Sequence, residues 1–162
     1  MALGKAEQTR KYYLSISEGK IVHSQDGRKE YYSFVEGQLE RVYKMERTFN
    51  GETVPYWEID IRGEKREVYS ISLPDKSGGF KSIILALANE PAVALSTVKV
   101  EPYKKGDYTK VIVYSNGTRL DWITKELPEV KEVRVGGQTV KDDSERMAYI
   151  ESLVADINAR LK

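Results

Sequence analysis

Residues 35–49 read VEGQLERVYKMERTF. The odd positions are Val35, Gly37, Leu39, Arg41, Tyr43, Met45, Arg47 and Phe49, and the even ones are Glu36, Gln38, Glu40, Val42, Lys44, Glu46 and Thr48. A period of two sustained over fifteen residues is the pattern of a β-strand with one apolar face. A strand of that length must bend, and Gly37 inside it is the residue type that lets a strand coil or bulge. Arg41 and Arg47 break the apolar phase. Either their long stems carry the charge from a barrel end to solvent, which we favour, or a bulge re-aims them towards a ligand groove.

Working outward, Asn50-Gly51 is a strong hairpin signal, and Val54 to Arg62 places Trp57, Ile59 and Ile61 on one face and Tyr56, Glu58, Asp60 and Arg62 on the other. After Gly63, the stretch Arg66 to Leu73 repeats the pattern with Tyr69, Ile71 and Leu73 inward, so three strands form a meander. By phase, Trp57, Tyr43 and Tyr69 belong to the core. Pro74 ends the run, Ser77-Gly78-Gly79 starts a helix, and Phe80, Ile83, Ile84 and Leu87 give it an apolar face ending near Asn89. Two more strands, Thr97 to Tyr103 and Thr109 to Ser115, are followed by the turn Asn116-Gly117 and a return through Leu120 and Trp122.

On the N-terminal side, residues 1–33 read as an arm with a small hairpin, Tyr12 to Ser15 and Lys20 to His23, around Ser17-Glu18-Gly19. On the C-terminal side, residues 123–141 read as an irregular or short-stranded connector. Asp142 with Glu145 forms a capping box opening a helix over 142–162. Its stripe of Met147, Ile150, Val154, Ile157 and Leu161 is expected to pack on its own domain.

The 162 residues correspond to one domain, and 40% hydrophobic against 31% charged residues describe a soluble globular chain. A net charge of +1 means that contact with a polyanion must come from a local patch. Cysteine is absent and His23, next to a turn carrying Asp26, is the single histidine, so thiol chemistry, His-rich metal sites and Ser–His relays are poorly supplied. We expect no catalysis, no cofactor and no metal. The beginning of the chain has no apolar signal region and no stretch reaches the length of a membrane span, so the expectation is a cytoplasmic protein without a membrane partner. Eleven tyrosines against three phenylalanines supply rings suited to half-exposed positions.

The order long strand, strand, strand, short helix, strand, strand, together with Gly37 and the tyrosine excess, resembles the OB-fold single-stranded-DNA-binding proteins of bacteriophages and their bacterial hosts, over residues 34–122. The resemblance implies a mainly β fold: a five-stranded OB-like Greek-key barrel with the helix between strands three and four and the C-terminal helix outside. It implies sequence-tolerant binding of single-stranded DNA in replication, recombination or repair, with replication or recombination proteins as partners. Such binding needs cations for the backbone and rings for the bases. Tyr103, Lys104, Lys105, Tyr108 and Lys110, in the loop between strands four and five, offer both, although lysines and glycine are also ordinary at a hairpin tip. Tyr56, Arg62 and Arg66 form a second cluster on the outward face of strands two and three, where Glu58 and Asp60 favour a plain solvated surface. Lys5, Arg10, Lys11, Tyr12 and Tyr13 equip the arm to wrap a strand. Many such proteins end in a disordered acidic tail, whereas this chain ends in a patterned helix and Arg160-Leu161-Lys162. The rival expectation is a β-barrel protein-interaction module serving phage assembly or replication.

Overall fold

The 35–49 stretch is one strand, and it changes partner along its length. The computed structural model, which describes residues 9–162, contains β1 (Arg10–Ser17), β2 (Lys20–Gln25), β3 (Arg28–Tyr32), β4 (Val35–Phe49), β5 (Glu52–Arg62) and β6 (Glu67–Pro74). These are followed by α1 (Gly78–Leu87), β7 (Val98–Lys105), β8 (Tyr108–Ser115), β9 (Thr118–Arg119), β10 (Lys131–Val135), β11 (Gln138–Asp142) and α2 (Ser144–Arg160). Lys5 of the proposed arm lies outside the described residues.

β4 pairs with β7 through Val35–Gly37 and with β5 from Gln38 onward. The change falls at Gly37, where a Cβ would sit 2.2 Å from the carbonyl oxygen of Arg62, so only glycine lets the two backbones approach this closely. A bulge between Leu39 and Arg41 then shifts the phase by one residue. Val42 joins Leu39 in the core, and Arg41, Tyr43, Met45 and Arg47 turn to the opposite face. This corrects two expectations: Tyr43 is not in core phase, and the arginines are re-aimed by a bulge rather than carried to solvent from a barrel end.

The main sheet has the order β3-β2-β1-β6-β5-β4-β7-β8-β9, all antiparallel except β1 beside β6. The sheet is mixed and is not closed into a barrel, because β6 takes β1 as its second neighbour instead of one of the five expected strands. Residues 10–32 thus form a three-stranded meander where a single hairpin was expected. The β1–β2 turn nevertheless reaches across to the β7–β8 hairpin: Gly19 N–H donates to Thr109 Oγ1 at 3.1 Å, and Lys104 meets Glu18 at 2.7 Å. The Asn50-Gly51 and Asn116-Gly117 turns have positive φ at both residues, as two-residue hairpins require.

Besides a single 3-10 turn at Val93–Leu95, one α-helix stands between β6 and β7. Ser77 caps it by accepting from Phe80 N–H, and Phe80 lies flat on Trp57 with ring centroids 5.0 Å apart. Ile59, Ile61, Ile71, Ile83, Ile84 and Leu87 fill the space around them, each side chain contributing about 1.5–3 kcal/mol by leaving water. The second helix closes this core with Ile150, Val154 and Ile157. Asn158 of α2 bonds both the N–H (3.0 Å) and the C=O (2.8 Å) of Val42, groups left unpaired where β4 has parted from β7. The expected capping box is not formed: Asp142 accepts from Ser144 N–H, and Glu145 is held by Lys131 at 2.7 Å instead of reaching back. The 123–141 connector contributes β10 and most of β11, a separate two-stranded sheet. Among the described residues no helix is long and apolar enough to cross a membrane.

Candidate nucleic-acid interface

The sheet face opposite the core is built by alternate residues of four neighbouring strands. β5 supplies Tyr56, Glu58 and Asp60, β6 supplies Ser70 and Ser72, β4 supplies Arg41, Tyr43 and Arg47, and β1 supplies Lys11 and Tyr13. Glu58 and Asp60 are 1% and 2% exposed, so the solvated surface expected around them is instead a buried ionic layer. Glu58 accepts from Tyr43 (2.6 Å), Ser70 (2.9 Å), Ser72 (3.2 Å) and Arg47 (3.3 Å). Asp60 is held by Arg41 at 3.1 Å and faces Lys11 at 3.6 Å. Burial alone would raise the Glu58 carboxyl, but these donors outweigh it and leave it below its ordinary value. Burial likewise opposes the Lys11 ammonium, and its bond to the Tyr43 hydroxyl (2.7 Å) together with Asp60 pushes it above the usual range. Both groups therefore stay charged at neutral pH.

The cations above this layer lie against tyrosine rings. Arg41 sits 4.2 Å from the Tyr43 centroid, Arg47 is 5.2 Å from Tyr56, and Lys11 is 5.3 Å from both Tyr13 and Tyr43. Within this cluster three cations stand over two carboxylates, an excess of one positive charge. Because Arg41 is mostly exposed and Arg47 partly so, their guanidinium groups remain accessible while their positions are fixed from below. Tyr13 presents more than half of its surface. Pre-set cations alternating with rings are what a nucleic-acid backbone and its bases engage.

The β7–β8 hairpin forms a second group. Its register pairs Tyr103 with Lys110 and Lys105 with Tyr108, which puts two rings and two lysines on one face of the hairpin. Tyr108 is the most exposed of these rings, at 74%. Lys104 points to the other face, where Glu18 holds it. The structure does not gather Tyr56, Arg62 and Arg66. Tyr56 and Arg62 lie at opposite ends of the β5–β6 ladder, roughly 20 Å apart at 3.3 Å per residue. Arg62 donates to Gln38, and Arg66 occupies the β5–β6 turn with φ of +61°.

Sequence reasoning missed Tyr43 as a surface ring and undervalued Arg41 and Arg47. The signal was present: two arginines breaking an otherwise apolar phase three residues or more after a glycine mark a bulge. Comparison with family models, with curated proteins and with solved structures finds no match to this chain.

Proposed function

We propose that this chain binds single-stranded DNA without reading its sequence and without chemistry, in replication, recombination or repair. The observation that carries the proposal is the layer of Lys11, Arg41 and Arg47 laid on Tyr13, Tyr43 and Tyr56 over buried Glu58 and Asp60. Phosphates meet the cations, and bases stack on the exposed faces of Tyr13 and, on the hairpin, of Tyr103 and Tyr108. Every base has a π-face, so such contacts tolerate any sequence.

An OB-like ancestry for residues 34–122 belongs to the same proposal. It is supported by the partner change of β4 at Gly37 and by the helix between β6 and β7. In this reading the β1–β3 meander is an addition that widens the ligand face and stands where the barrel would otherwise close.

The test is a titration with oligo(dT), following Trp and Tyr emission across a salt series. Binding weakens as salt rises, by roughly 0.7 in log–log slope per phosphate neutralised, and duplex DNA of the same length binds more weakly. Salt-independent binding, or equal affinity for duplex, overturns the proposal and favours the rival protein-interaction module.

A further inference from the structure

The core-side face of the β1–β3 meander is not covered by either helix, and there it opens into a cleft of about 470 Å³ against β6 and the start of β4. Four rings line it. Tyr12 and Tyr69 stack with centroids 5.7 Å apart, and Tyr32 and Phe34 stand across from them. Three carboxylates, Glu30, Glu36 and Glu67, share the lining, and no lysine or arginine does. Tyr69 donates to Glu67 at 2.5 Å and Tyr32 donates to Glu30, so two of the carboxylates are oriented by phenols. The bond to Glu67 pushes the Tyr69 phenol up to about 12, which keeps it a donor at any physiological pH.

This chemistry is the inverse of the face described above. A phosphate brought to the cleft would meet three negative charges. A metal ion is poorly suited, because among the described residues no three acidic or histidine side chains converge to hold one. A planar organic cation suits both components, stacking on the rings and presenting paired N–H donors to a carboxylate. The wall already holds one cation from outside, since the Lys99 ammonium lies 4.8 Å from the Phe34 centroid. The cleft also borders a free sheet edge. Among the described residues β3 is hydrogen-bonded to β2 alone, and its Glu30 and Tyr32 are the side chains that face the cleft. A strand added to that edge would carry its own side chains on the same face, next to Glu30.

We propose that this cleft receives the guanidinium of an arginine carried on an extended segment of a protein partner, with the segment's backbone adding to the free edge of β3. The carboxylates supply charge and bidentate acceptors, the rings supply the stacking surface, and the strand edge supplies affinity that depends little on sequence. The site is independent of the DNA-binding reading and lies on the other face of the sheet.

The experiment titrates the full chain, labelled for amide NMR, with the peptide Ac-Val-Arg-Val-amide and with its counterpart carrying neutral citrulline. The arginine peptide is expected to shift the amides of Glu30, Tyr32, Phe34 and Tyr69, and the citrulline peptide to bind roughly tenfold more weakly or less. Glu67→Gln and the exposed Glu36→Lys should each weaken the arginine peptide several-fold while leaving the melting temperature and oligo(dT) affinity unchanged. Tyr69→Phe, which keeps the ring stack but frees Glu67, should weaken it less than Glu67→Gln does. The proposal is overturned by equal binding of the two peptides, by shifts confined to other strands, or by no shift at about 10 mM peptide. Displacement of the peptide from the cleft by oligo(dT) also overturns it, because the cleft would then belong to a nucleic-acid surface.

Discussion

Replacing Glu58 with glutamine keeps the shape of a side chain that is 1% exposed and removes its charge. The groups around it, Tyr43, Ser70, Ser72 and Arg47, all donate to the carboxylate, so the new amide turns two donors of its own towards donors. The serine hydroxyls can rotate to accept, and Arg47 is partly exposed, so water replaces part of what it loses. Breaking a fully buried pair costs about 3–5 kcal/mol; with these two compensations the expected loss at pH 7 is about 2–4 kcal/mol. The folded-state carboxyl lies below its ordinary value of 4.5. Its contribution is therefore complete above that value and is lost as pH falls through the folded value. Glutamine does not titrate, so the gap between wild type and Glu58→Gln should shrink from pH 7 to about pH 3. Urea unfolding at fixed ionic strength, followed through the emission of Trp57 and Trp122 together, measures both gaps. Equal midpoints at pH 7, or a gap unchanged at pH 3, refute the buried ionic layer. Below its unfolding midpoint the same variant should bind oligo(dT) at least as tightly as wild type, because the charge removed has the sign of DNA.

Lys105→Ala and Lys110→Ala should each flatten the slope of log affinity against log salt by roughly 0.7, whereas Lys104→Ala should change it by less than half of that, since Glu18 already holds its ammonium at 2.7 Å. Tyr13→Ala and Tyr108→Ala should each cost about 1–3 kcal/mol of oligo(dT) affinity with the slope unchanged, because stacking releases no counterions; a slope that moves with either would show a role in placing cations instead. Gly37→Ala should lower stability by about 3 kcal/mol or more in thermal melts, because its Cβ would meet the backbone oxygen of Arg62, which has little room to move; an unchanged melting temperature would show that β4 does not change partner there.

The strands from Val35 to Ser115 were legible because each carries its own alternation, and the helices because Phe80 to Leu87 and Ile150 to Ile157 repeat with helical spacing. The bulge after Leu39 was not, since an inserted residue leaves the composition intact and changes only the phase, and the two polar residues Glu40 and Arg41 gave no anchor for where the phase shifts. That one residue decides whether Tyr43 packs in the core or lies under Arg41. The meander β1–β3 was obscured for a different reason. β3 is Arg-Lys-Glu-Tyr-Tyr, exposed along its whole length, so it has no apolar face to betray a strand; its pairing with β2 is set by the Asp26-Gly27 turn and by backbone hydrogen bonds. The parallel ladder of β1 on β6 joins residues more than fifty apart, which no local pattern encodes.

β1 explains how a chain of net charge +1 can present a cationic face at all. Its residues alternate between the two sides of the sheet, so Lys11 and Tyr13 join Tyr43 and Asp60 on one side while Tyr12 joins Tyr69 and the glutamates on the other. Charge is separated across the thickness of a single strand rather than along the chain. Because the two sides are about one sheet apart, a separation comparable to the screening length of about 8 Å in physiological salt, salt reduces the pull of the acidic cleft on the opposite face without removing it. A shift of β1 by one residue against β6 would exchange the two sets and place Tyr12 over Asp60 and Lys11 among the carboxylates. The register Lys11–Val68, Tyr12–Tyr69, Tyr13–Ser70 is therefore the single geometric choice on which both surfaces depend, and it is held by the stacking of Tyr12 on Tyr69 and by Leu14 beside Ile71 in the core.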